Sequence, residues 1–164
     1  MTFDIAGAKA SAVNPEAAVR TAAEWASPLG AEVCLLDARS VIGRDHLESA
    51  ALHAIRAREA RTMSSRSVAM VTLLYAAGAR QVQDAIRSVG VRGDTTAIGV
   101  VLFDSTKVDD FIHDMGWGRD DGVLKADGKS LEHLGISDRE AKTVSDRQRA
   151  DLILEKVALL DVEK

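Results

Sequence analysis

The sequence of 164 residues holds a single cysteine, Cys34, so it has no means of closing an internal disulfide. Cys34 sits in the apolar run Val33-Cys34-Leu35-Leu36 with no histidine near it in sequence, and it reads as a small core hydrophobe. No stretch of about 18 apolar residues is present, which excludes a membrane-spanning helix, and Met1-Thr2-Phe3-Asp4 carries no signal-peptide pattern. A cytoplasmic protein with no membrane partner is the expectation. Positive charge is not in excess: the formal net charge of −4 argues against a surface basic all over, while leaving room for a local basic patch.

The strong catalytic signatures are missing as well. There is no phosphate-binding Walker loop, no GxGxxG after a strand, no GxSxG elbow and no paired cysteine ligands. His46 and His53 fall two turns apart on one helix, too distant to share a metal without other ligands, and no HExxH spacing exists. No catalytic residue, no metal site and no cofactor is therefore expected, and the prior for an enzyme is low.

What remains is an ordinary globular composition, 46% hydrophobic and 28% charged, spread over one domain spanning 1–164. Phe3 and Ile5 alternate with Asp4 in a short edge strand from Thr2 to Ala8. Asn14-Pro15-Glu16 supplies a cap, a proline at the first helical position and an early acid, so a helix runs to about Leu29 and stops at Gly30. Residues 33–37 and 97–103 are continuous apolar runs too short for helices, and both read as buried central strands. Asp45 and Glu48 form a capping pair for a helix whose core face carries Leu47, Ala51, Ala54 and Ile55, with His46 on another face. A polar break at 62–67 feeds a second helix, and Arg92-Gly93-Asp94 is a turn. A helix from about Thr106 to Met115 buries Val108, Phe111 and Ile112; the glycine- and aspartate-rich region after it has a short strand at Val123-Leu124. Ser137 with Glu140 and Ser145 with Gln148 form capping boxes, the second opening a final helix with an apolar face of Ile153, Leu154, Val157, Ala158 and Leu160. The fold class is α+β: a single domain with a small mixed β-sheet packed by several α-helices.

The most informative stretch is residues 73–86. Val71, Leu74 and Tyr75 on one side, and Val82, Ala85, Ile86 and Val89 on the other, repeat at helical spacing, and Gly78 breaks the two halves. Arg80 and Gln81 then stand at the start of the second helix, where backbone N–H groups favour an anionic partner. Arg44, Arg56, Arg58, Arg61 and Arg66 cluster upstream. Arginine's planar fork suits phosphate, and a nearby aromatic can stack on an unpaired base. A solvated face laced by ion pairs such as Arg56 with Glu59 accounts for the same residues equally well.

The order Leu35-Leu36-Asp37-Ala38-Arg39-Ser40-Val41-Ile42-Gly43-Arg44-Asp45-His46-Leu47, then Ala51-Leu52-His53-Ala54-Ile55-Arg56-Ala57, then residues 73–86 and Val89-Gly90-Val91, resembles the small kinase-binding subunit of the KEOPS complex, the family of the PRPK-binding protein TPRKB, in its archaeal form. The likeness covers about residues 31–104, and residues 153–161 resemble the family's C-terminal helix; residues 105–144 match loosely, and Val82 stands where the family often has isoleucine. The resemblance implies a regulatory, non-catalytic accessory subunit of tRNA processing, in the machinery that installs threonylcarbamoyladenosine. It further implies binding to the N-terminal lobe of the complex's small atypical protein kinase, and capture of the single-stranded 3′ CCA end of tRNA. Carried onto this chain, the tRNA-binding residues are Arg56, Arg61, Tyr75, Gly78, Arg80 and Gln81. Kinase binding falls to a more apolar surface on the C-terminal helix, Leu152, Leu159 and Val162. Two alternatives stand beside this reading: a small enzyme acting on a phosphorylated metabolite, and a purely structural kinase-binding subunit. Nothing in the sequence sets an oligomeric state.

Overall fold

Along the strand at Ala97–Phe103 the side chains alternate between two hydrophobic clusters, Val101 and Phe103 facing one and Ile98, Val100 and Leu102 the other. A computed structural model describes residues 1–137, 139, 142 and 145–162, with the side chains of 146, 147 and 150 left aside. The order is β1 (Phe3–Lys9), α1 (Pro15–Ala26), β2 (Glu32–Asp37), α2 (Arg44–Glu59), α3 (Val68–Ala77), α4 (Val82–Val89), β3 (Ala97–Phe103), α5 (Val108–Asp114), β4 (Gly118–Arg119) and α6 (Asp146–Val162). Residues of α1 and α5 cover one face of the sheet, and those of α2, α3, α4 and α6 cover the other. The class is α+β, as the sequence implies.

The sheet order is β2-β3-β1-β4, and every described pair is antiparallel, so the sheet is not mixed. The reversal follows from the chain's path: β1 and β2 both pair antiparallel with β3 from opposite sides, so they run parallel to each other without touching. β2 is an edge strand, not a central one. Its unbroken apolar run reflects helices on both faces, with Val33 and Leu35 toward α1 and Cys34 and Leu36 toward α3. β1 pairs along its whole length with β3, and only Ala8 and Lys9 meet β4 on its other side.

Local signals explain most boundaries. The Asn14 side chain accepts from Ala17 N–H, and α1 passes through a 3-10 turn at Ser27–Leu29 before Gly30 closes it with φ 65°. Ser67 caps α3 by accepting from Met70 N–H. The Ser145–Gln148 box is reciprocal: Gln148 accepts from Ser145 N–H and Ser145 accepts from Gln148 N–H. The Ser137–Glu140 box lies outside the described residues. Three further expectations are overturned. α2 starts at Arg44 with Gly43 at its cap and no side-chain cap bond, so Asp45 lies inside the first turn and cannot cap it. Val123-Leu124 belongs to a 3-10 turn, Asp121–Leu124, and the strand of that region is Gly118–Arg119. His46 is 1% exposed, because its ring closes a gap between the loop before α2 and the end of α3.

Candidate functional site

Gly78 ends α3 in the left-handed conformation, φ 61°, which an L side chain reaches only at a cost. Gly78 N–H donates to the Tyr75 carbonyl and Ala79 N–H to the Leu74 carbonyl, closing the last turn. The Ala79 N–H is thus spent on α3 and does not face a ligand. α4 begins at Val82 with Gln81 at its cap, so its outward N–H groups belong to residues 82–84, where Asp84 already complements the helix dipole. A Cβ on Gly78 would meet the Lys156 stem of α6 at 3.0 Å, and one on Gly135 would meet Lys156 Nζ at the same distance. The joint between α3 and α4 therefore doubles as a seat for α6.

Of the residues proposed for tRNA, Arg80 and Gln81 are exposed at the joint, and Arg56 and Arg61 are exposed on and just beyond α2. Tyr75 and Arg80 share a pocket of about 260 Å³ with Ser64, Val71, Ala79 and Leu160. Arg56 lies apart, in a hollow of about 280 Å³ between α2 and Leu154 of α6. Gly78 lines a third hollow, about 430 Å³, with Arg87, His133 and Lys156. Arg61 lines none of these three and takes a positive φ of 58°. Tyr75 is only 1% exposed, so its ring offers no open face to a base. Its hydroxyl donates to Asp161 of α6, and the His53 ring stacks on it at 5.2 Å between centroids. Two upstream arginines are exposed but engaged within the chain, Arg44 Nη1 donating to the Ile5 carbonyl at 2.9 Å and Arg58 Nη1 to Met1 Sδ.

On α6, Leu159 and Val162 are 43% and 80% exposed, while Leu152 is half-buried against the core. A larger apolar feature lies elsewhere. A cavity of about 780 Å³ runs beside β2, walled by α1 and α3. Sequence reading missed it because its walls come from segments far apart in the chain; Val19 and Ile86 are exposed apolar residues on its banks.

Several displaced titrations belong to ion pairs and to packing. Burial alone would raise the fully buried Asp37 carboxyl, but hydrogen bonds from Arg39 and Thr95 outweigh it and hold it below its usual range. Hydrogen bonds from Arg39 lower Asp94, and those from Arg119 lower Asp121. Burial pushes the Cys34 thiol up to about 12, which keeps it protonated and unreactive. Asp94 of the Arg-Gly-Asp turn pairs with Arg39 at 2.8 Å, so the tripeptide is a structural corner. Among the described residues no group of three or more His, Cys, Asp or Glu side chains could hold a metal ion, and no helix is long and apolar enough to cross a membrane.

The sequence profile of the family described as kinase binding protein CGI-121 matches residues 12–116, from the approach to α1 through the end of α5. No curated protein matches the chain.

Proposed function

The chain belongs to the kinase binding protein CGI-121 family, and from that membership we propose that it is a non-catalytic regulatory subunit of the KEOPS complex, acting in the cytoplasm on threonylcarbamoyladenosine formation in tRNA. Its partners are the complex's small atypical kinase and the 3′ CCA end of tRNA. The family match, which spans β2 to β3 and the whole α3–α4 joint, is the observation that carries the reading. The ionisable groups are consistent with it: the carboxylates with displaced titration are pushed down by arginines, the direction of structural ion pairs and not of a general acid.

The tRNA tail would be held by charge around the joint. Arg80 and Gln81 stand exposed beside the pocket that Tyr75 floors; Arg56 on α2, in a hollow it shares with Asp45 and Glu48, and Arg61 just past the helix end add two more exposed cations. Tyr75 then acts through shape, as the buried floor under Arg80, and an arginine plane takes over the stacking surface. Gly78 fixes the angle at which α4 leaves α3. For the kinase, Leu159 and Val162 are the apolar residues of α6 left open, and Leu152 supports them from the core side.

The test is Arg80→Glu, a substitution at an exposed position, in a gel-shift titration against full-length tRNA. Weaker binding with an unchanged thermal midpoint supports the tail site. Unchanged affinity counts against it. If the unmodified chain shows no salt-dependent tRNA binding, alone or with the kinase, the purely structural kinase-binding role replaces this reading.

A further inference from the structure

β2 has the sequence of a central strand and the position of an edge. Edge strands are ordinarily protected by charge, proline or a bulge, because their unpaired N–H and C=O groups invite another strand. Residues 33–36 of β2 carry none of these, and Cys34 and Leu35 are only 4% and 7% exposed. Among the described residues, the backbone of Glu32–Leu35 makes no hydrogen bond beyond the β3 ladder. Backbone groups so nearly buried call for partners. The free edge opens into the cavity of about 780 Å³, whose banks are Val19 and Ala23 of α1 and Met70 and Leu73 of α3, with Ile86 of α4 at one end. At that end the edge already takes a partner, because Leu36 forms an antiparallel bridge with Gly90. The groove is thus floored by strand backbone, walled mainly by apolar side chains with Glu16, Arg20 and Glu32 also lining it, and started as a strand pairing by the chain itself.

We infer that the kinase partner lays an extended, apolar segment along the outer edge of β2, as a fifth strand of the sheet between α1 and α3. The chemistry selects that occupant. Backbone groups on the floor ask for a strand, apolar banks ask for apolar side chains, and the recess between two helices admits one slender chain. A second copy cannot meet the edge through its own β2, which is recessed in the same way. The inference rests on the kinase-binding reading and moves the main contact from the tip of α6 to the groove.

The experiment is amide hydrogen exchange read by mass spectrometry on the chain alone and saturated with the purified small atypical kinase. It is paired with affinities for Val19→Lys, Ile86→Lys and, as a control on α2 away from the groove, Leu52→Lys. All three positions are exposed, so thermal midpoints close to that of the unmodified chain verify folding. The inference expects exchange over residues 32–36 to slow at least tenfold in the complex. Val19→Lys and Ile86→Lys should weaken the kinase at least tenfold, and Leu52→Lys should not. A complex that forms with residues 32–36 unchanged and protection on α6 overturns the inference and leaves the kinase reading standing. Protection of residues 32–36 in the chain alone, rising with its own concentration, assigns the edge to a second copy and also overturns it. If no complex forms, the kinase reading fails and the inference falls with it.

Discussion

The hydroxyl of Tyr75, in the last turn of α3, donates to the carboxylate of Asp161 in the last turn of α6, and His53 Nδ1 of α2 lies 2.6 Å from the other carboxylate oxygen. Three helices remote in sequence are pinned through one acid. Tyr75→Phe keeps the ring and its stacking on His53 but deletes the donor, so it should cost about 1 kcal/mol. Tyr75→Ala also empties the space beneath Arg80 and should cost about 3–5 kcal/mol. Urea unfolding of both variants checks the ranking, and equal costs would mean that the hydroxyl carries the effect alone.

His46 makes stability depend on pH. Ile42 N–H donates to its Nδ1 at 3.0 Å, so Nε2 carries the proton and donates to the Ala76 carbonyl at 2.8 Å. Only the neutral ring can do both. Burial, aided by repulsion from His133 and Lys129, lowers its pKa from 6.5 to about 4, against the opposing bond to Ala76. Above pH 6.5 the ring is neutral folded or unfolded and costs nothing. As pH falls from 6.5 toward 4 the unfolded chain takes the proton first, so the folding free energy should decline across that window and the contribution level off below it. Denaturant midpoints measured between pH 7.5 and 4 test this, and a flat profile would contradict it.

Gly7 shows why β1 needs a residue without a side chain. A Cβ there would lie 2.4 Å from the Asp120 carbonyl oxygen and 2.7 Å from a Val123 methyl. Gly7 N–H donates to Asp121 Oδ1 and its carbonyl accepts from Asp120 N–H, so the loop cannot simply back away. Gly7→Ala should destabilise by about 1–3 kcal/mol and loosen residues 118–124, read as faster amide exchange in that segment.

Arg39 clamps Asp37 and Asp94 together, with its Nη2 2.6 Å from one and 2.8 Å from the other. Arg39→Gln leaves the buried Asp37 carboxylate with Thr95, one backbone N–H and the Arg92 guanidinium at 3.8 Å, and should cost about 2 kcal/mol at pH 7. Asp37 is held below its ordinary pKa of 3.8, so its contribution is present above that pH and lost as pH falls through the lower folded value. The variant should therefore show a flatter loss of stability below pH 4, measured by acid titration of the denaturant midpoint.

Local chemistry made much of this fold legible. Asn14-Pro15, Gly30, Gly78 and Ser145–Gln148 each act within a few residues, and each sits where its sequence places it. β2 and β3 were visible as apolar runs, but such a run reports covered faces and is silent about a free edge, so β2 read as central. His46 read as one polar residue on a helix, since its partner carbonyl at Ala76 comes from a different helix. The same limit applies to the candidate site. Arg80 and Gln81 declared themselves by the glycine before them, whereas the burial of Tyr75 depends on Asp161 and His53, which only packing brings near.

The proposed role as a tRNA-end adapter is tested most directly by titrating the chain against one tRNA with its 3′ CCA tail and the same tRNA without it, at two salt concentrations. That role predicts salt-dependent binding that is lost with the tail. Equal binding of the two tRNAs, or none of either, would contradict it.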